Sequence, residues 1–153
     1  MSTTAPRRTE SATARRVGYA LAVLINGLLL SGVNVWPGWR VLPFLTEDTR
    51  QVLGLVNLSL IAGMIANAVY VITDRTWLKA LGDLVTLGIG MAVLVGFWEV
   101  FPFDFTGSSL GWATVARVVL IVAVVGTAVG LAVQFVVLIA SLLHGTGRST
   151  GPR

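Results

Sequence analysis

Four long apolar runs, at 17–35, 52–73, 78–101 and 112–143, take up most of the chain; a short polar connection joins the middle two, and longer, aromatic-bearing loops join the others. A helix rises about 1.5 Å per residue and the hydrocarbon core of a bilayer is about 30 Å thick, so about 20 apolar residues cross it. Each run meets that length. Membrane-spanning strands would instead leave alternating segments of about ten residues, and the sequence has none. The pattern predicts an all-α fold, a four-transmembrane-helix bundle occupying 17–143. Polar tails at 1–16 and 144–153 have nothing to bury and are expected to be disordered. The connection Asp74-Arg75-Thr76-Trp77 is so short that the second and third helices must be antiparallel neighbours.

The same pattern repeats internally. Trp39-Arg40-Val41-Leu42-Pro43-Phe44 returns as Trp98-Glu99-Val100-Phe101-Pro102-Phe103, and the same register aligns Arg16 with Arg75 and Leu28 with Leu87. A longer second loop then places Arg50 on Arg117 and Asn67 on Gln134. Valine and leucine matches are cheap in such a chain, but tryptophan and proline matches are not. The expected architecture is therefore two tandem helical hairpins of the same orientation, related by an approximate two-fold axis along the membrane normal. Inverted repeats, the commoner transporter design, would place the second hairpin upside down.

Charge fixes the expected orientation. Charged residues make up 12% of the chain, against about 25% in an average soluble domain, and the net charge is +4. With four spans, Arg7, Arg8, Arg15, Arg16, Arg75, Lys79, Arg148 and Arg153 share one side of the membrane. Only Arg40, Arg50 and Arg117 fall towards the other. An excess of basic residues marks the cytoplasmic face, so both termini are expected inside a bacterial-type plasma (inner) membrane. The positive charge is read as a topology signal, with membrane lipid as the partner and no nucleic acid. The first run exceeds a usual signal-peptide core and Gly32-Val33-Asn34-Val35-Trp36 lacks a small-x-small cleavage site, so it is read as a retained span.

Candidate chemistry is sparse. There is no cysteine and one histidine, His144, at the end of the last run, where it suits a helix C-terminus better than a ligand role. Nucleophile, P-loop, zincin and dinucleotide-binding motifs do not occur. No catalytic, cofactor-binding or metal-ligating residue is expected, and no enzymatic activity. The repeat sets Arg40 and Glu99 at equivalent positions with opposite charge. Read functionally they form a gate at the outer mouth; read structurally they form an interfacial salt bridge between the hairpins, which is the favoured reading. Arg50 and Arg117 are alternative partners for Glu99, and Glu47, Asp48 and Asp104 compete for the arginines. Asp83, one turn after Lys79, reads as its structural ion-pair partner. Asn26, Asn34, Asn57, Asn67 and Gln134 lie within the spans, where such groups join helices or line a polar path.

Small residues supply candidate packing seams: Gly126 and Gly130 in the fourth span, Ser59, Gly63 and Ala66 in the second. They allow close backbone approach where lipid gives helices no hydrophobic reason to associate. Whether they pack within or between chains is open, and a unit of this size points to a homo-oligomer.

The four-span layout, with Trp-Pro-Gly-Trp-Arg-Val-Leu-Pro-Phe-Leu-Thr at 36–46 and Trp-Glu-Val-Phe-Pro-Phe-Asp-Phe at 98–105, resembles a family of small bacterial integral membrane proteins of unknown function. The resemblance covers most of 16–143, implies the same span assignment and brings no activity. The expected function is a non-enzymatic scaffold or accessory subunit. A small-solute or ion channel or transporter is the alternative, and a lipid-binding role the third.

Overall fold

The computed structural model describes residues 7–73, 75–106 and 111–146, and among them it is all helical apart from one isolated β-bridge. Four α-helices run α1 (Arg7–Asn34), α2 (Thr49–Ile72), α3 (Thr76–Val100) and α4 (Trp112–Thr146), with a 3-10 turn at Trp39–Val41. All four contain stretches long and apolar enough to cross a membrane, Ala12–Asn34, Thr49–Ile72, Thr76–Val100 and Trp112–Leu143. Their large apolar side chains are mostly exposed: Leu28 is 72% exposed and Val122 66%. Apolar surface on this scale demands an apolar solvent.

The expected tails are partly helical. Helix α1 begins at Arg7, well inside the segment expected to be disordered, and α4 continues to Thr146. A span is already a helix nucleus, and adding Ala, Arg and Glu to it costs little. Residues 1–6 and 147–153 lie outside the described residues.

Each helix packs on the next in sequence. Asn34 meets Asn57 and Tyr19 meets Tyr70, so α1 and α2 are antiparallel. Val52 approaches Gly96 and Tyr70 reaches Lys79, so α2 and α3 are antiparallel, as the short connection requires. Arg117 lies over Phe101 and Gln134 reaches Asp83, which sets α4 antiparallel to α3. Both ends of the described chain therefore sit at one end of the bundle, the tail end. The long loops occupy the other, the loop end. No Cα of α1 lies within 8 Å of one in α4, so the outer helices leave the row open.

The two loops are built differently. Gly32 and Ser31 carbonyls accept from Gly38 and Trp36, ending α1, and Gly38 then takes φ 84°, a left-handed value that suits glycine. Helix α3 runs further, through Trp98-Glu99-Val100, and stops where Phe101 adopts φ 43°. A non-glycine residue there costs about 1–2 kcal/mol. The physical reason for the difference is local. Pro37-Gly38 breaks α1, while the aligned positions of the repeat hold Gly96-Phe97, which continue the helix. Beyond the prolines the loops meet: Leu45 pairs with Phe103, Thr46 N–H donates to the Pro102 carbonyl at 3.0 Å and Asp104 N–H to Phe44 at 2.9 Å. Pro102 and Val52 are fully buried beneath this junction.

Candidate functional site

At the tail end, polar groups from three helices converge on Asp83. The Tyr70 hydroxyl, in the last turns of α2, lies 2.9 Å from Asp83 Oδ1 and 3.0 Å from the Lys79 carbonyl, two acceptors for its single proton. Gln134 Nε2 on α4 donates to Asp83 Oδ2 at 3.0 Å. Both carboxylate oxygens thus have a donor from another helix. Helix α1 contributes Tyr19, whose ring meets that of Tyr70 edge-on at 5.4 Å. The Lys79 ammonium lies 5.1 Å from the Tyr19 ring centroid. Gly82 makes the approach possible: a Cβ there would collide with the Tyr70 hydroxyl. Buried polar groups are costly in hydrocarbon unless each finds a partner, and this cluster supplies them.

The Lys79–Asp83 spacing predicts an ion pair and gives Tyr70 no part in it; in the structure Asp83 instead bonds to Tyr70 and Gln134. One signal was available. The connection between α2 and α3 is three residues, 73–75, so the last turn of α2, which holds Tyr70, packs beside the first two turns of α3, which hold Lys79 and Asp83.

At the loop end, Asn34 and Asn57 form a reciprocal amide pair, each Nδ2 donating to the other's Oδ1 at 2.8 Å. Both were candidates, and they join α1 to α2. The remaining amides act locally. Asn26 Nδ2 donates to its own helix at Ala22 and packs on Gly63, while Asn67 Nδ2 donates to the Gly63 carbonyl at 2.8 Å. Gly130 lies against Leu87 of α3, so that part of the α4 seam packs within the chain. Gly126 meets nothing within 4 Å and is exposed, which splits the expected pair. Ser59 donates to the Val56 carbonyl of its own helix at 2.9 Å, and Ala66 is half-buried.

The expected Arg40–Glu99 ion pair does not form. Arg40 Nε lies 3.4 Å from Glu47 and Arg50 2.8 Å from the same carboxylate, while Arg40 also stacks over Trp39. Glu99 is exposed and makes no ion pair with a described residue. The broken α1 explains this: Arg40 is thrown into the loop beside Glu47, whereas Glu99 stays in helix α3. Arg117 turns to an aromatic partner, its guanidinium 4.9 Å from the Phe101 ring centroid. Phe101 in turn packs on Phe103, and Phe103 on Phe97 and Phe105. Asp104 accepts from the Thr106 N–H at 2.9 Å, and that bond holds its carboxyl below the usual carboxylate range.

Between α1 and α2, under the 37–45 loop, lies an apolar cleft of about 310 Å³. Leu28, Gly32, Val41, Leu53, Val56 and Phe97 are among its walls, together with Thr49. Among the described residues no group of three or more His, Cys, Asp or Glu side chains comes together to form a metal site. No protein-family model, curated protein or solved structure matches this chain.

Proposed function

We propose that this chain is a non-enzymatic membrane scaffold or accessory subunit, acting as a homo-oligomer of two-hairpin units. The observation that carries the reading is how its polar side chains are used. They bond in two separate groups, the pair Asn34–Asn57 at the loop end and the trio Tyr70–Asp83–Gln134 at the tail end. On α2 these sites are about 20 Å apart. Between them, Asn26 and Asn67 donate to carbonyls of their own helices. A conduction path needs polar groups in continuous succession with capacity to exchange partners; fasteners need only mutual satisfaction.

A tandem repeat is favoured by the packing of Gly63 and Gly130, aligned in the repeat, each against the preceding helix of its own hairpin. Association between chains is favoured by the open edges of α1 and α4 and by the uncovered Gly126. The basic residues at the tail end favour a cytoplasmic location for both termini, in a bacterial-type inner membrane.

The test is reconstitution of purified protein in liposomes carrying proton- and ion-sensitive dyes, with the assembled mass measured in detergent. Flux equal to that of empty vesicles, with a mass above one chain, is the expected result. Reproducible flux that is abolished by Asp83→Asn would overturn the scaffold reading. It would promote the alternative, an ion pathway, for which the half-buried Asp83 carboxylate is the specific observation.

A further inference from the structure

The apolar cleft between α1 and α2 carries an inference independent of the scaffold reading. Its volume, about 310 Å³, falls at the lower end of the roughly 300–1,000 Å³ typical of small-molecule sites. Its lining is apolar except for Thr49, whose residue is only 4% exposed and whose Oγ1 has no hydrogen-bond partner. The neighbouring Thr46 Oγ1 is likewise buried and unpartnered. A buried hydroxyl in apolar surroundings is costly until a partner reaches it.

The order of these groups along the membrane normal identifies that partner. Thr49 is the first residue of α2 and of its apolar stretch, and the end of a spanning stretch falls where hydrocarbon meets the headgroups. Leu53 and Val56 follow about 6 Å and 10 Å deeper on the same helix, and Leu28 stands on α1 across the cleft. Leu28 and Val41, 72% and 57% exposed, border the side open to the surrounding bilayer. A hydroxyl donor at one end, followed by apolar wall running inward, matches the ester carbonyl and acyl chain of a glycerophospholipid.

We propose that this cleft is a lipid site: one acyl chain of a bilayer glycerophospholipid lies along Leu53, Val56 and Leu28, and the Thr49 hydroxyl donates to its ester carbonyl. The site predicts a structurally bound lipid distinct from those sliding over the exposed helix faces.

The experiment uses the full chain in dioleoylphosphatidylcholine vesicles doped with phosphatidylcholine carrying a photoactivatable diazirine in its acyl chain. Adducts are mapped by peptide mass spectrometry. Adducts should concentrate on residues of the cleft. Gly32→Phe should suppress them, because a side chain at Gly32 meets no atom within 4 Å at its Cβ and enters the cleft it lines. Gly54→Phe, the same change at an exposed glycine of α2 outside the cleft, should leave the pattern unaltered. Thr49→Val keeps the shape and removes the donor; it should lower cleft labelling about fivefold, the equivalent of one net hydrogen bond. It should also raise stability in lipid-free detergent, where the hydroxyl has no ester to meet. Labelling spread equally over cleft and exposed faces, and unchanged by Thr49→Val, would overturn the proposal. So would efficient disulfide formation between chains in a Val33→Cys variant of this cysteine-free protein, which would seat a second copy in the cleft.

Discussion

Gly82→Ala would show how tightly the tail-end cluster is built. The new Cβ would collide with the Tyr70 hydroxyl and lie 3.0 Å from Cζ and 3.2 Å from Cε1 of that ring. The ring has little room to withdraw, because Tyr70 is 6% exposed and packs edge-on against Tyr19. Any shift that relieves the contact lengthens the 2.9 Å bond to Asp83. Hydrogen bonds between transmembrane helices contribute about 0.6–1.7 kcal/mol, and bonds to charged groups about 1.5–3. Against this, exchanging an interior helical glycine for alanine gains up to about 1 kcal/mol. A net loss of about 1 kcal/mol is expected. Gly88 is the control on the same helix, since nothing lies within 4 Å of a Cβ built there. Gly88→Ala should therefore stabilise, leaving the two variants about 2 kcal/mol apart. The measurement is dodecyl sulfate unfolding from mild detergent micelles, followed by circular dichroism. Repeating it in a Tyr70→Phe background removes the hydroxyl and should erase most of the Gly82→Ala penalty. Stabilisation by Gly82→Ala as large as that by Gly88→Ala, or a cost unchanged by loss of the hydroxyl, would refute this account of the cluster.

The loop end yields further outcomes. Asn34→Ala and Asn57→Ala should each destabilise, and the double variant should lose little more than either, with a coupling of about 0.6–1.7 kcal/mol in a double-mutant cycle. Arg40→Glu and Glu99→Arg should show no mutual rescue, since each charge has other surroundings; recovery in the swapped variant would restore the ion pair the structure lacks. By NMR titration Asp104 should ionise below the usual carboxylate range, because the Thr106 N–H favours the charged form. Its small contribution to loop order should thus be complete above the unfolded pKa and disappear as pH falls through the depressed folded value. In intact cells a membrane-impermeant maleimide should label Thr106→Cys and not Thr76→Cys; the reverse pattern would invert the proposed orientation.

Much of this protein is legible in its sequence. The four spans are local properties: each depends on the summed transfer energy of one stretch of chain, and the observed helices follow those stretches closely. The antiparallel α2–α3 contact followed from connection length alone. Candidate polar residues stood out because amides are conspicuous among leucines and valines. Their partners did not, because a partner depends on how each helix is rotated about its axis. In water an apolar stripe would reveal that rotation, but here the lipid-facing and helix-facing sides are both apolar. Tyr70 illustrates the loss: no local pattern sets it apart until α3 brings Gly82 and Asp83 against it. Arg40 and Glu99 illustrate a second limit. Their equivalence in sequence assumed equal helices, and Pro37-Gly38 ends α1 early while Gly96-Phe97 lets α3 continue. The cleft and its buried Thr49 belong wholly to tertiary structure, because their walls come from α1, α2, α3 and a loop that no local pattern brings together.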